Sequence, residues 1–139
     1  MAGVIRRKIE RPSADLVATC KTIPTTILSD MMNRSRAMCA AIKPVQTGVH
    51  VAGPAITVEC MVGDNIMSHH AIYLAEPGDI LVIDGRGHVD TAIWGGVQTL
   101  AANTQGVVGV VVDGSIRDVQ ESRESSCAVF CRSVSPAGP

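Results

Sequence analysis

Apolar positions change their spacing several times along the chain, and each spacing predicts a different element. Residues 55–62 alternate apolar and polar side chains, which predicts a strand with one buried face. Ile80–Ile83 and Val107–Val112 are continuous apolar runs, typical of strands covered on both faces, and Asp113-Gly114 closes the second run. Residues 128–131 predict one more strand. These four runs supply the predicted sheet.

Helical signals lie before and between these strands. Each of three helices is predicted to begin at a polar side chain that accepts a hydrogen bond from a free backbone N–H group. These caps are Ser13 for residues 14–20, Thr25 or Thr26 for the helix after Pro24, and Asp64 for residues 65–75. The third helix places five side chains on one broad apolar face: Ile66, Met67, His70, Ala71 and Leu74. Residues 43–50 are predicted to be a connection.

Two adjacent glycines, Gly95 and Gly96, are predicted to separate two helical stretches. The first stretch starts at Asp90, and the second ends at Gly106 in the manner of a C-cap. A short polar helix is predicted after Asp118. The resulting order of two helices, a strand, and then alternating helices and strands predicts a compact α/β fold.

Length and composition favour one folded domain over residues 1–139. The chain has a mass of 14.6 kDa, and its 46 % hydrophobic and 18 % charged residues exclude a wholly disordered protein. Tyr73, Trp94 and Phe130 are the aromatic residues. Three rings are too few for a platform that stacks nucleic-acid bases, so no nucleic-acid partner is expected.

Compartment signals favour the cytoplasm. The sequence holds no apolar stretch of about 18 residues, so no membrane span is expected. Residues 1–12 are polar and lack the apolar region of a secretory signal. The five cysteines form no CxxC pair, which argues against a zinc ribbon and favours free thiols in a reducing compartment.

Charge is unevenly distributed. Residues 1–43 hold eight Lys/Arg and three Asp/Glu, whereas residues 44–139 hold four and ten. The basic third is either a contact for an acidic partner or an ordinary solvated surface.

Three candidate sites have weak support. Asp84 to Asp90 resembles the start of a dinucleotide or S-adenosylmethionine loop, but Asp90 replaces the third glycine, so an ordinary turn is the simpler interpretation. Ser115 lacks the GxSxG surroundings of a nucleophilic serine. The histidines do not predict a metal site, because adjacent His69 and His70 point to different helix faces, and His70 is expected in the core. The two remaining histidines are His50 and His88.

The strongest candidate site combines a helix start with an Arg–Asp pair. If Gly95, Gly96, Val97 and Gln98 open a helix, their free backbone N–H groups attract a carboxylate or phosphate. Arg117 offers a planar fork for a carboxylate, and Asp118 offers an oxygen ligand for a divalent cation. Both residues follow a buried strand, where open α/β sheets place ligands. The alternative is a surface Arg–Asp pair in a turn.

Several ordered sequence blocks show a family resemblance over residues 14–139. The blocks are Ala14-Asp15-Leu16, Pro24-Thr25 with Ser29-Asp30, Gly53 to Val58, Gly63-Asp64-Asn65, Pro77 to Gly85, Trp94-Gly95-Gly96 and Gly109 to Asp118. In these blocks the sequence resembles the family of 4-hydroxy-4-methyl-2-oxoglutarate aldolases and the ribonuclease E inhibitor protein A, RraA. Some members were once labelled menaquinone methyltransferases, which the incomplete glycine loop does not support.

The resemblance implies a fold, an activity and an assembly. The fold is the β/β/α arrangement of swivelling phosphohistidine domains, assembled as a homotrimer or hexamer. The activity is cleavage of a 2-oxo acid, or decarboxylation of oxaloacetate, with release of pyruvate and with Mg²⁺ or Mn²⁺ as cofactor. By resemblance, Arg117 contacts the substrate, Asp118 holds the metal, and the amides of Gly95–Gln98 bind the pyruvate part.

Other family features lead to further expectations. Asn65, His69 and the Asp84–Gly87 loop are candidates to line the pocket. The inhibitor branch of the family supplies the alternative, a non-catalytic protein that binds a ribonuclease. That branch often lacks the aspartate after the arginine, so Asp118 favours the enzyme.

Two departures from the family pattern bear on activity. Gly96 stands where aldolases carry an acid that assists proton transfer, with residues 97–116 between it and the Arg–Asp pair. The sequence is also expected to be short at its C-terminal side, without the family's last strands and an acid that members supply across a subunit interface.

Overall fold

A computed structural model describes residues 3–139 of the chain. Met1 and Ala2, part of the segment used for the prediction on secretion, lie outside the described residues. The helices are α1 (Ala14–Thr22), α2 (Thr25–Met31), α3 (Ile66–Leu74), α4 (Gly96–Gln105) and α5 (Val119–Glu124). The strands are β1 (Lys43–Pro44), β2 (Ala55–Glu59), β3 (Ile80–Asp84), β4 (Ala92–Trp94), β5 (Gly109–Ile116) and β6 (Ala128–Val134).

All described strands belong to one sheet, in which β5 is central. The order is β1-β6-β5-β3-β2, and β4 pairs with β5 beyond the end of β3. β2, β3, β5 and β6 run parallel, whereas β1 is antiparallel to β6. Parallel strands have their carboxyl ends at one edge of a sheet, so Asp84 and Asp113 lie side by side. The residues that directly follow β5, Arg117 and Asp118, lie toward this edge and form the candidate site.

The core lies between the sheet and helices α3 and α4. Leu81, Val110 and Val129 are fully buried there, and Trp94 donates a hydrogen bond to Thr99 Oγ1 at 2.8 Å. The prediction of strands covered on both faces is confirmed for β5, where Val110, Val111 and Val112 are all buried. It is wrong for β3, because Val82 faces a groove on the other side of the sheet and is half-exposed.

The helix caps follow the sequence only in part. Ser13 Oγ accepts from Leu16 N as predicted, and Gly106 ends α4 at φ 85°. The predicted threonine cap of α2 is wrong, since Pro24 holds that position without a side-chain hydrogen bond. Asp64 does satisfy a first-turn donor, because its Oδ1 accepts from Ile66 N at 2.9 Å.

The buried face of α3 differs from the predicted one. Ser68, Ala71 and Ile72 are buried, whereas Ile66 and His70 are exposed. Ser68 is acceptable inside because Gln98 Nε2 donates to its hydroxyl at 2.7 Å. Small side chains on this face let α3 and α4 approach each other closely.

Three short segments were assigned wrongly from the sequence. The stretch after Asp90 is not helical, because Ala92–Trp94 extends as β4 and is buried. Asp113-Gly114 does not close β5, which continues to Ile116. Lys43–Pro44 is not only a connection, since it pairs with β6.

An N-terminal segment crosses to the turn before β3 and is held there by one arginine. Arg11 Nε and Nη2 donate to the two carboxylate oxygens of Asp79 at 3.1 and 2.7 Å, and Glu76 lies 3.2 Å from Nη1. Asp79 is 1 % exposed and also accepts from Glu76 N at 2.8 Å. The hydrogen bond to Asp79 raises the pKa of Arg11 above its ordinary value. This Arg11–Asp79 contact fixes residues 3–13 against the domain.

Helices in the described part of the chain are short. Within residues 3–139, none has the length and apolar content required to cross a bilayer.

Candidate functional site

The start of α4 is a helix tip built from glycine. β4 ends at Trp94, Gly95 is extended at φ −158°, and α4 begins at Gly96 without a side-chain cap from its own segment. The first N–H groups of a helix have no intrahelical partner. One of them, Gly96 N, donates instead to Asp118 Oδ2 at 2.9 Å. The helix tip is therefore capped by a residue that is distant in sequence.

Arg117 and Asp118 reach this helix tip from the carboxyl end of β5. Arg117 N donates to Trp94 O at 2.9 Å, which continues the pairing of β5 with β4. Asp118 follows in the left-handed conformation, with φ 56° and ψ 51°, and starts α5. Such a conformation is costly for most residues but is accessible to aspartate. The sharp turn directs the Asp118 carboxylate back to α4.

The two segments are in close contact, as the sequence predicted. A Cβ atom added to Gly95 would lie 2.8 Å from Asp118 Oδ2 and 3.2 Å from Arg117 Nε. A Cβ atom added to Gly96 would lie 3.2 Å from Asp118 Cβ and 3.3 Å from Glu121 Cβ. Glycine at both positions leaves room for the side chains that approach the helix tip. The roles of these residues in binding and catalysis stay predictions.

The Arg–Asp pair is open to solvent. Arg117 Nε lies 3.7 Å from Asp118 Oδ2, and the side chains are 50 % and 41 % exposed. They line a concavity of about 360 Å³ with Val119, Val134, Ser135 and Pro136. At this exposure the pair is too weakly bound to close the site, and an anion can compete with Asp118 for Arg117.

Val97 and Gln98 offer only backbone groups to this site. The Gln98 side chain is buried and bonded to Ser68, and the Val97 side chain is 80 % exposed. Their N–H groups belong to the first turn of α4, where no helical carbonyl reaches them. Neither residue lines the concavity of Arg117 and Asp118, and the role of their N–H groups in binding a substrate carboxylate stays a prediction.

The side chains present fit Mg²⁺ or Mn²⁺ in one specific manner. Within residues 3–139, no three His, Cys, Asp or Glu side chains cluster closely enough to enclose a metal ion. Asp118 commits Oδ2 to Gly96 N, and Oδ1 makes no hydrogen bond to the described residues. Magnesium is commonly held by one or two carboxylates, with water and substrate completing six ligands. The free oxygen of Asp118 matches that mode, which leaves most ligands to water and substrate.

The other sequence candidates lie elsewhere. Asp84 and Arg86 line a larger groove over the sheet, and Gly87 lies beside Asp113 and Arg132. Asn65 and His69 line neither concavity. The structure therefore separates these candidates from the Arg117–Asp118 site.

Ser115 and two of the histidines make hydrogen bonds to neighbouring groups. His50 Nε2 bonds to Lys21 O at 2.9 Å, and His88 Nε2 to Thr91 Oγ1 at 3.3 Å. The expectation of a core position for His70 is wrong, because that side chain is exposed. Ser115 is fully buried and donates to Val89 O at 2.6 Å, so its hydroxyl is not free to act as a nucleophile.

Sequence reasoning missed a cysteine with a distinctive environment. Cys39 is exposed, and a backbone hydrogen bond from Ala41, assisted by Arg132, lowers the pKa of its thiol. Arg132 in turn pairs with Asp113. No local signal revealed this, because Cys39 and Arg132 lie far apart in the chain.

We expect the cysteines to react with iodoacetamide in a fixed order. Cys39 should be alkylated first, because the thiolate is the nucleophile and its pKa is lowered. Burial raises the pKa of the Cys127 thiol to about 12, so that thiol stays protonated and protected in the folded chain. Peptide mass spectrometry at about pH 8 would follow each site. Equal rates at Cys39 and Cys127 would contradict the structure; the urea-unfolded chain, in which both react, is the control.

Comparison with known proteins gives consistent results. A sequence profile described as RraA-like, Aldolase/RraA, matches residues 25–139. A protein named "Putative 4-hydroxy-4-methyl-2-oxoglutarate aldolase" from Halalkalibacterium halodurans is 40 % identical over 123 residues, which is 88 % of this chain and 59 % of that protein. A 4-hydroxy-4-methyl-2-oxoglutarate aldolase from Thermus thermophilus is 30 % identical over 112 residues, 81 % of this chain and 68 % of that protein.

A solved structure shows the same fold. The RNA-processing inhibitor RraA from "Thermus thermophilis" superposes with a TM-score of 0.75 at 29 % identity, covering 84 % of this chain and 70 % of that one. The α/β fold expected from the resemblance is confirmed. The chain spans 59 % of the length of the Halalkalibacterium halodurans relative.

Proposed function

This chain belongs to the RraA-like family, Aldolase/RraA, and from that premise we propose that it is a carbon–carbon lyase that releases pyruvate from a 2-oxo acid. One observation carries the proposal: Arg117 and Asp118 line one solvent-open concavity, and Asp118 Oδ2 accepts a hydrogen bond from Gly96 N at the tip of α4. Each of these groups suits a small keto acid. In this proposal residues 1–139 act as one RraA-like domain.

Binding begins with two anion-attracting groups. The planar Arg117 guanidinium donates two parallel hydrogen bonds to a carboxylate once its weak ion pair with Asp118 opens. The N–H groups of Val97 and Gln98 offer the second contact, assisted by the helix dipole. Together they orient the substrate so that its reacting carbon faces the Asp118 side of the concavity.

Asp118 is the residue that would hold a divalent cation. Its Oδ2 bond to Gly96 N fixes the orientation of the carboxylate, and Oδ1 has no hydrogen-bond partner among the described residues. A bound Mg²⁺ or Mn²⁺ supplies positive charge that stabilises an enolate.

Oxaloacetate decarboxylation is the activity that requires the fewest catalytic groups in this site. The bond between C3 and the leaving carboxylate breaks, its electron pair forms the enolate of pyruvate, and carbon dioxide departs. Water then protonates C3. Arg117 neutralises the growing negative charge at each stage. Retro-aldol cleavage also needs a base for the substrate hydroxyl, and Gly96 provides no side chain for that task.

An assay for pyruvate tests this function. We expect the purified chain to release pyruvate from oxaloacetate with Mg²⁺ above the rate of Mg²⁺ alone, and to lose this excess in a chelator. Lactate dehydrogenase and NADH report pyruvate continuously. An excess rate that persists in chelator would contradict metal dependence, and no excess over Mg²⁺ alone would contradict the lyase.

A non-catalytic inhibitor is the second candidate function. The likeness to the solved RNA-processing inhibitor RraA and the basic residues 1–43 favour it. It predicts tight association with a ribonuclease and no metal-dependent turnover. The same oxaloacetate assay, run beside a ribonuclease inhibition assay, separates the two functions.

We further propose a homotrimer or hexamer that works in the cytoplasm. The family resemblance supports the assembly, and the free cysteines support a reducing compartment.

A further inference from the structure

Two glycines enclose the side chain of Arg117. A Cβ atom added to Gly95 would lie 3.1 Å from Arg117 Cγ and 3.2 Å from Nε. A Cβ atom added to Gly138 would lie 3.1 Å from Cζ and would press on Nη1 at a distance that real Cβ atoms do not reach. Gly95 thus contacts the stem of the arginine, and Gly138 contacts its guanidinium.

Backbone conformation does not explain these glycines. Gly95 is extended at φ −158°, and Gly138 is not among the residues with positive φ. Any residue can adopt such backbone angles. At Gly138 the space that a side chain would need is occupied by the Arg117 guanidinium, and at Gly95 it is shared by Arg117 and Asp118 Oδ2, which lies 2.8 Å from an added Cβ atom.

Gly138 lies in a segment that cannot easily move away. Ser135 N donates to Ile116 O at 3.0 Å, and Ser135 Oγ donates to Asp90 O at 2.8 Å. Ala92 N donates to Ala137 O at 2.7 Å, which ties the segment to β4. Arg117 has no comparable anchor, because within residues 3–139 its guanidinium donates no hydrogen bond and its ion-pair partner Asp118 is 3.7 Å away.

We propose that Gly138 is a positioning residue that sets the location of the Arg117 guanidinium, and through it the affinity of the site for a carboxylate. This inference rests on the proposed function, in which Arg117 binds the substrate carboxylate. A methyl group at position 138 would displace the half-exposed guanidinium rather than the hydrogen-bonded backbone, by roughly 1 Å, and such shifts reduce binding and catalysis strongly.

The test is a pair of matched variants with oxalate and Mg²⁺ as the probe. We expect Gly138→Ala to weaken oxalate binding at least about 10-fold by calorimetry, with an unchanged unfolding midpoint. Ala137→Gly, one residue away, changes one methyl group in the opposite direction and leaves glycine at position 138. It should bind oxalate within about twofold of the unmodified chain.

A double-mutant cycle tests whether Gly138 acts on oxalate binding through Arg117. Lysine lacks the Nη atoms that meet Gly138, so in an Arg117→Lys background Gly138→Ala should weaken the remaining oxalate binding by less than about twofold. Equal losses in both backgrounds, unchanged binding in Gly138→Ala, or no oxalate binding by the unmodified chain would overturn the inference. Failure of the proposed function has a different signature, because a chain that binds oxalate but releases no pyruvate still gives this cycle a result.

Discussion

Replacing Asp118 by alanine is expected to lower pyruvate release from oxaloacetate by roughly 100-fold or more, because the change removes the carboxylate that the proposed cation requires. Asp118→Asn is the informative companion. Its amide oxygen can still accept from Gly96 N, so the α4 tip is retained while the negative charge is lost. Both variants should be inactive if the negative charge of Asp118 is required. Asp118→Ala should also destabilise the start of α4, because it removes the hydrogen-bond acceptor of Gly96 N.

Arg117→Ala is expected to cause a loss of similar size for a different reason, since it removes the cation that binds the substrate carboxylate. Glu124→Ala is a suitable control, because Glu124 is exposed on α5 and bonds only to Gln120 within the described residues. Rates come from the lactate dehydrogenase assay at several Mg²⁺ concentrations. Full activity in both Arg117→Ala and Asp118→Ala would refute the assigned roles.

The second large effect concerns stability. Asp79→Ala should lower the free energy of unfolding by about 2–4 kcal/mol, because it leaves Glu76 N and Arg11 without the buried carboxylate that both contact. Glu76→Ala removes the other carboxylate near Arg11, but that side chain is 65 % exposed, so its loss should be small. Urea unfolding measures both variants. Equal losses of unfolding free energy in the two variants would show that burial gives the Asp79 contact no advantage over the exposed Glu76 contact.

The sequence predicted those parts of the fold in which a local pattern determines the element. The strand predicted over residues 55–62 is confirmed for Ala55–Glu59, although residues 60–62 lie beyond its end. The apolar run Ile80–Ile83 is a parallel strand, and Gly106 ends α4. The contact between the Arg117–Asp118 pair and the tip of α4 was predictable from the order of the elements. A helix that starts at glycine and a pair placed after a buried strand meet at the carboxyl edge of a parallel sheet.

Predictions failed where distant partners decide the outcome. Ala92–Trp94 is only three residues long, too short for any period to be read, and its burial comes from β5 and α4. Ser68 can lie on the buried face of α3 because Gln98 Nε2 donates a hydrogen bond to its hydroxyl. The contacts of Arg11 with Asp79 and of Gly138 with Arg117 join residues far apart in the chain, and no local pattern encodes them.

The central position of β5 has a consequence for how the chain folds as it is synthesised. Among the strands of residues 3–139, the one that organises the sheet is the fifth of six in chain order, and it pairs with β3, β4 and β6. Before residues 109–116 emerge, these strands can form the β2–β3 pair but no larger part of the sheet, and an isolated pair of strands is marginally stable in water. The apolar residues of β3 therefore remain unpaired with β5 until that strand has been synthesised. Parallel pairings between distant segments form slowly, so the newly made protein passes through a vulnerable interval in which a chaperone would be of use.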